Sequence, residues 1–315
     1  MGNSRDTAVR ERRSERKRRR RLGNRLFAAI LIVLVMIGMF RIRNLERQLE
    51  EIREALQEQG IVQGEWNLSA VTAAAGMGSV KVEKPVERTW EETLQKLEEI
   101  GRQNPTVQKI YQNSSDYPEI MLTALANNPE MADFVAGYPD NDGSVTGGIS
   151  EQEKEQSFPL FLQWDSRWGY QDYGGENIGL AGCGPTCLSM VMYYLTRDES
   201  FTPDRIAEYS MKHGYYVEGT GTAWALLTDF PTAYGVRVEE LGAAEDALKA
   251  KLDDGGVLIC AMRKGDFTLT GHFIVIYGYE DGKFLVNDPN CAARSRGWSF
   301  AQISGQIKNI WAYQN

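Results

Sequence analysis

A cysteine that stands between two glycines, directly ahead of a long apolar run, is the first group in this sequence that could do chemistry. Cys183 lies in the stretch AGCGPTCLSMVMYYL, where Gly184-Pro185 predicts a turn that enters the first turn of a helix. Apolar residues recur beyond it at helical spacing, namely Leu188, Val191, Met192 and Leu195. Because a helix N-terminus favours negative charge, Cys183 is either a reactive thiolate or a small buried residue.

Histidine is the side chain that most often activates such a thiol, and the sequence contains only two. His213 ends a predicted helix just before Gly214, where a cation is favoured for structural reasons alone. His272 follows Gly271 at the start of a predicted strand, and the apolar body of that strand comes after it. A polar residue in this position either faces a cleft or marks a solvated strand end.

An acidic residue that could orient an imidazole ends the next strand. Asp288 closes the run KFLVND, and Asp281-Gly282 joins this run to the preceding strand as a tight hairpin. In that register Asp288 lies opposite Val275, three residues from His272, so a direct contact requires strong strand twist or a bulge. An aspartate before a proline is also a common turn residue. The other possible partners of the imidazole are Asn287 and Asn290.

The fourth polar group is an amide upstream of the cysteine. Gln163 follows an apolar run in FPLFLQWDSRWGY, and on its own it would be taken for a surface residue. Together, Gln163, Cys183, His272 and Asp288 form an ordered set with the parts that thiol catalysis needs. These parts are a base near the thiol, a carboxylate or amide that orients the base, and an amide donor for an oxyanion.

Four spaced motifs occur in order along the chain: NPEMADFVAGYP, PLFLQWDSRWG, GLAGCGPTCLSMVMYYL and GHFIVIYGYEDGKFLVNDP. In these motifs the sequence resembles the C39-like peptidases, a papain-fold group of cysteine peptidases related to those that process bacteriocin leaders. The resemblance covers about residues 118–315. It implies an α+β, papain-like fold in which a helix that carries the cysteine packs on an antiparallel sheet.

The resemblance also implies a role for each polar residue. Cys183 is the nucleophile, His272 the base, Asp288 the group that orients it and Gln163 the oxyanion donor. The implied reaction is attack on an amide carbonyl, a thioester, protonation of the leaving amine by His272, and hydrolysis. The sequence departs from the family pattern at Cys187, where a serine is expected; we interpret this thiol as a packing residue one turn inside the helix.

The cysteines predict neither a disulfide framework nor a metal site. The four, Cys183, Cys187, Cys260 and Cys291, include no CxxC pair and no cluster with histidine, and the chain is large enough to fold without disulfides. No metal and no cofactor are therefore expected, and the resemblance implies a peptide or protein substrate as the partner.

The first 42 residues predict a membrane anchor. Residues 1–25 carry eleven Lys or Arg and three acids, although the net charge of the chain is −8, so the remainder is acidic and no nucleic acid is expected. The stretch LFAAILIVLVMIGMF lies between arginines and predicts one transmembrane helix over residues 26–42. A cleaved signal peptide is the alternative, but no small-residue cleavage site follows directly. The basic tail should stay in the cytoplasm, with the catalytic domain outside the cell.

The rest of the chain divides into three regions. Residues 43–84 predict a juxtamembrane helix and a linker, residues 85–150 a helical region with a loop, and residues 151–315 the peptidase domain. A short heptad pattern over residues 45–56 predicts either weak self-association or a solvated amphipathic helix. The pattern consists of Leu45, Leu49, Ile52 and Leu56.

Local signals predict several elements of these regions. Thr89 and Glu92 are placed as a capping box, and Thr202 as the N-cap of a helix that stops at Gly214. The segment DNDGSVTGGISEQEKEQ predicts a loop. Three runs predict strands: VLICAM, HFIVIYGYE and KFLVND.

Two other functions remain open at this point. One is a peptidoglycan amide hydrolase that uses the same Cys–His chemistry, and the other is a catalytically silent binding module on the cell surface. The complete polar set argues against the silent module. The bacteriocin-processing relatives usually carry a transporter in the same chain, but this sequence has no P-loop, so cleavage coupled to export is not supported.

Overall fold

Helices come first in the part of the chain that the structure describes. The computed structural model describes residues 82–315, which belong to one compact unit, so the predictions for the tail, the apolar segment 26–42 and the heptad segment 45–56 lie outside the described residues. Within residues 82–315, five α-helices precede the predicted site: α1 (Trp90–Gly101), α2 (Pro105–Gln112), α3 (Glu119–Asn127), α4 (Ala132–Gly137) and α5 (Glu151–Lys154).

Capping side chains explain where several of these helices begin. Thr89 and Glu92 form the predicted capping box ahead of α1, and the Asn104 side chain accepts from two backbone N–H groups at the start of α2. A second capping box, between Ser150 and Glu153, starts α5. The prediction of an uninterrupted loop there was therefore wrong over four residues, because the box satisfies the first N–H groups of a helical turn.

The remaining elements alternate helices and strands. They are β1 (Asp172–Tyr173), β2 (Glu176–Asn177), α6 (Ile178–Ala181), α7 (Cys183–Thr196), α8 (Pro203–Lys212), β3 (Tyr216–Val217), β4 (Gly221–Thr222), α9 (Leu226–Ala233), β5 (Arg237–Leu241), α10 (Glu245–Asp253), β6 (Val257–Arg263), β7 (Gly271–Glu280), β8 (Lys283–Asn287), β9 (Gly297–Trp298), α11 (Phe300–Ile303) and β10 (Ile307–Gln314). Thr202 occupies the N-cap position of α8, but its side chain makes no capping bond.

A six-stranded antiparallel sheet, in the order β5-β10-β6-β7-β8-β9, forms the centre of the fold. The three predicted strands are β6, β7 and β8, which are adjacent. The sequence interpretation missed β5, β9 and β10. The last of these, β10, lies between β5 and β6 and pairs with both along most of its length.

Both faces of the sheet are covered, which explains the uninterrupted apolar run of β6. Val257, Ile259 and Ala261 pack in the cluster that includes α7, whereas the alternate residues pack in a second cluster on the other face. The second set is Leu258, Cys260 and Met262. The predicted α+β class, with the cysteine-bearing helix packed on an antiparallel sheet, is confirmed.

The β7–β8 hairpin decides where Asp288 lies. Asp281 and Gly282 both have positive φ, 49° and 76°, as a tight two-residue turn requires. A bulge between Ile276 and Gly278 then shifts the register by one residue. As a result Asn287, and not Asp288 as the simple hairpin register predicted, pairs with Val275.

Within residues 82–315, no helix has the length and apolar character needed to cross a membrane. All four cysteines of the sequence carry free thiols.

Candidate active site

Cys183 is the first residue of α7, and its side chain is partly exposed. The short helix α6 and Gly182 lead the chain into this position. Gly184 is required beside it, since a Cβ atom there would come within 2.7 to 2.8 Å of the Thr222 side chain. The first backbone N–H groups of α7 have no acceptor within the helix, so the thiol lies where the helix dipole favours negative charge.

The imidazole of His272 and the carboxylate of Asp288 are in direct contact. His272 Nε2 lies 2.7 Å from Asp288 Oδ1, and both side chains are buried, with His272 8% and Asp288 0% exposed. Because Nε2 is engaged by the carboxylate, Nδ1 is the ring nitrogen that remains for proton transfer.

The charge of Asp288 outweighs burial in setting the protonation of His272. Burial alone would lower the pKa of the imidazole, but the adjacent carboxylate, its hydrogen bond and the nearby Cys183 sulfur together raise that pKa to about 10. The structure thus brings Cys183, His272 and Asp288 together, with an imidazolium favoured at neutral pH.

Gln163 is buried beside the segment that leads to Cys183. Its Nε2 donates to the carbonyl oxygen of Gly179 at 2.9 Å, and its backbone N–H donates to Pro289 at 2.7 Å. The side chain is 3% exposed. One hydrogen of the amide nitrogen is therefore committed to Gly179, which leaves the second available to an incoming oxygen.

The alternative partners considered for the imidazole have other roles. The Asn287 amide donates to the carbonyl oxygen of Pro159 at 2.8 Å, while the backbone N–H of Asn290 donates to Asp288 Oδ1 at 2.8 Å. His213 is exposed at the end of α8 and stacks on Tyr209, with ring centroids 4.1 Å apart.

The sequence interpretation missed a buried arginine behind the carboxylate. Arg294 Nη1 lies 3.5 Å from Asp288 Oδ2, and Arg294 is only 4% exposed. The backbone N–H of Asp288 also donates to Ser295 Oγ at 2.9 Å. No periodicity marks Arg294, which sits in a polar segment of the kind that usually faces solvent, so the sequence held no signal for its burial.

The other three thiols lie in environments that suppress ionisation. Burial raises the pKa of Cys187 well above its usual value, and it also raises the pKa of Cys260. Burial raises the pKa of Cys291 to about 12. Among residues 82–315, no three His, Cys, Asp or Glu side chains are grouped so that they could bind a metal ion.

Comparison with known proteins identifies a family for the second half of the chain. Residues 155–315 match the model of the Peptidase_C39 like family, and no curated protein matches the chain. The peptidase domain of Streptococcus ComA, a bifunctional ABC transporter in a quorum-sensing pathway, is 18% identical over 50% of this chain and 98% of that one, with a TM-score of 0.36. A protein described as a C39-like peptidase from Bacillus anthracis is 14% identical over 43% of this chain and 89% of that one, with a TM-score of 0.28. Since the family match takes in just over half of the chain, the protein belongs to the Peptidase_C39 like family, and residues 155–315 form its cysteine peptidase domain.

Proposed function

We propose that this protein is a membrane-anchored, extracytoplasmic peptidase that hydrolyses peptide bonds through a thioester on Cys183. The observation that carries the proposal is the 2.7 Å contact between His272 Nε2 and Asp288 Oδ1 beside a thiol at a helix N-terminus. This contact leaves a protonated imidazole next to the nucleophile, as a thiolate–imidazolium pair requires.

In the first half of the reaction, the Cys183 sulfur attacks the carbonyl carbon of the scissile amide. The oxyanion accepts the second hydrogen of Gln163 Nε2 and the backbone N–H of Cys183, which has no acceptor within its helix. The carbon–nitrogen bond then breaks, the imidazolium of His272 gives its proton to the leaving amine, and the acyl group remains on sulfur as a thioester.

In the second half, His272 is neutral and acts as a base. It takes a proton from water, whose oxygen attacks the thioester carbonyl, and the carbon–sulfur bond breaks. The products are a carboxylic acid and the Cys183 thiolate, again paired with imidazolium. Asp288 keeps the imidazole oriented and its positive charge stabilised in both halves.

The proposed location rests on the first 42 residues of the sequence. Residues 1–25 are basic, and residues 26–42 are apolar enough to contact lipid as a single transmembrane helix. The peptidase domain then faces a peptide or protein substrate outside the cell. Residues 45–56 could add a weak contact between two copies of the chain.

An electrophilic thiol probe tests the chemical part of the proposal. The full-length chain is treated with the probe near neutral pH, the modified residue is mapped, and hydrolysis of a fluorogenic peptide library is followed in parallel. We expect modification at Cys183 alone, and loss of both labelling and hydrolysis in Cys183→Ala.

The matched control is Cys187→Ser, one helical turn away, where a serine hydroxyl can donate to the backbone carbonyl of Cys183. This variant should label and hydrolyse like the unmodified chain. Equal labelling of Cys183 and Cys187, or full hydrolysis by Cys183→Ala, would contradict the assignment of the nucleophile.

A further inference from the structure

The loop that follows Asp288 orients its carboxylate. This loop, residues 288–294, contains the Asn290 N–H that donates to Asp288 Oδ1, the oxygen that also contacts His272. It ends in the single turn Ala292–Arg294, whose last residue places a guanidinium 3.5 Å from Asp288 Oδ2. A displacement of this loop would therefore move both of the groups that fix the carboxylate.

A carboxylate from the helical region binds the far end of this loop. The side chain of Glu130 accepts from the backbone N–H groups of Ala292, at 2.8 Å, and Ala293, at 2.9 Å. Glu130 thus caps the turn Ala292–Arg294 from a position 162 residues earlier in the chain. Each of its two oxygens takes one N–H group, so neither contact is redundant.

The middle of the loop is fixed by a second residue of the same segment. The carbonyl oxygen of Asn290 accepts from the side chain of Asn128 and, at 2.8 Å, from Trp164 Nε1. Asn128 is 1% exposed, and its own oxygen accepts from the Glu130 backbone N–H at 3.2 Å. Asn128 and Glu130 are therefore hydrogen-bonded to each other, and together they bind the loop at two points.

The helical region also packs against the other side of the site. A Cβ atom on Gly179 would come within 2.4 Å of the Phe134 ring of α4. Gly179 lies four residues before Cys183, and its carbonyl oxygen is the acceptor of Gln163. The same short region of chain thus touches the segment before the nucleophile and the loop after Asp288.

We propose that Asn128 and Glu130 are positioning residues of the peptidase site, acting through the 288–294 loop on Asp288 and so on His272. They lie upstream of residues 155–315, the part of the chain that matches the family model. The helical region is then a component of the active site of this protein, and not only a spacer. The proposal rests on the roles of Cys183, His272 and Asp288 given above.

The histidine content of the chain gives a readout that does not depend on activity. Only His272 and His213 are present, so selective ring labelling of the full-length chain yields two imidazole titrations by nuclear magnetic resonance. The groups that face His272 are Asp288 and Cys183, with Arg294 behind the carboxylate. His213, stacked on Tyr209, is the internal reference.

The test variant is Glu130→Ala, which frees the N–H groups of Ala292 and Ala293. Because a carboxylate within a few ångströms shifts a pKa by one to three units, a displaced Asp288 should lower the pKa of His272 by at least about one unit. The ring signals of His213 serve as the internal reference. The turnover number should fall by up to about 100-fold, with little change in KM, since misplacement of a catalytic group acts on the chemical step.

The control is Glu119→Ala, which removes an equal charge from an exposed position at the start of α3. It should leave the pKa of His272 and the turnover number unchanged. If Glu130→Ala fails to fold, Glu130→Gln replaces it, because an amide oxygen still accepts one of the two N–H groups. An unmoved His272 pKa in a folded Glu130 variant would overturn the proposal.

Failure here is distinct from failure of the proposed function. A Cys183→Ala chain that still hydrolyses peptides would refute the catalytic roles, whatever the titration shows. If Cys183→Ala is inactive while the Glu130 variant keeps both its His272 pKa and its turnover, only the positioning role is refuted.

Discussion

The side chains of His272 and Asp288 lie 2.7 Å apart. A bulge in β7 shifts the β7–β8 pairing by one residue, so that the position of Asp288 is one residue nearer to His272 than in a regular hairpin. The extra residue lies between Ile276 and Gly278, so Asn287 takes the place opposite Val275. The resulting contact, together with the nearby Cys183 sulfur, raises the pKa of His272 to about 10, against the effect of burial. The imidazolium should therefore survive through neutral pH and lose its proton only as the pH rises toward that value.

The first prediction concerns the alkaline limb of the pH–rate profile. In Asp288→Asn the amide oxygen can still accept from Nε2, but the negative charge that raised the His272 pKa is gone while burial, which lowers it, remains. The alkaline limb of kcat/KM should therefore move from near pH 10 to lower pH. Steady-state rates of peptide hydrolysis between pH 5 and pH 11 measure it.

Two comparisons make this result specific. Asp281→Asn removes the same charge from the turn of the same hairpin, where the positive φ suits asparagine, and should leave the profile unchanged. Asp288→Ala should retain less activity than Asp288→Asn, and His272→Ala almost none. An alkaline limb at the same pH in Asp288→Asn would refute the role of this carboxylate.

The second prediction concerns the buried ion pair behind the site. Arg294 and Asp288 are both almost fully buried, so Asp288→Asn leaves a guanidinium without a counter-charge, which should cost about 3 to 5 kcal/mol in the free energy of unfolding. The double variant Asp288→Asn/Arg294→Met should recover most of this loss without recovering activity. Denaturant unfolding and peptide hydrolysis measure the two effects.

Arg296→Met, two residues further along, is the matched control, because Arg296 is exposed and lies over Trp298. It should change the free energy of unfolding by about 1 kcal/mol or less. If Asp288→Asn proved as stable as the unmodified protein, the pair would contribute no net stabilisation, and Arg294 would have another role.

The elements that the sequence predicted well carry strong local signals. Helix α7 follows a 3.6-residue apolar pattern after Gly184-Pro185. Strands β6 to β8 are apolar runs, and a turn with positive φ joins β7 to β8. Strand β5 was missed because its residues, Arg237–Leu241, are mostly exposed at the sheet edge and include two glutamates. Strand β10 pairs with segments that lie more than 40 residues earlier in the chain, and a short stretch of sequence gives no signal for such pairing.

The candidate site was predictable by residue type but not by contact. The order of Gln163, Cys183, His272 and Asp288 indicated thiol chemistry, whereas the His272–Asp288 contact depends on a bulge that tertiary packing decides. The contacts made by Asn128 and Glu130 join residues 162 positions apart. No pattern of composition or periodicity reports a hydrogen bond over such a separation.

A third prediction concerns the anchor proposed for residues 26–42. A reporter that is active only outside the membrane should give signal when fused after residue 60 and none when fused after residue 24, because the basic flank keeps the tail in the cytoplasm. N-terminal sequencing of the membrane-bound protein should find the basic tail. A mature chain that starts near residue 45 would show that the segment is a cleaved signal peptide.

The last prediction separates the oxyanion donor from the base. Gln163→Ala removes one donor to the oxyanion, which should lower turnover by roughly 100- to 1000-fold. Alkylation of Cys183 forms no oxyanion, so this variant should react with a thiol probe nearly as fast as the unmodified chain, whereas His272→Ala should react slowly near neutral pH. The control is Gln171→Ala, which removes a hydrogen bond from a side-chain amide to the backbone carbonyl oxygen of Asp204, away from the segment before Cys183. It should affect neither rate. Among these three variants, only Gln163→Ala is therefore expected to combine slow turnover with normal alkylation. If Gln163→Ala hydrolysed peptides as fast as the unmodified chain, another group would have to stabilise the oxyanion.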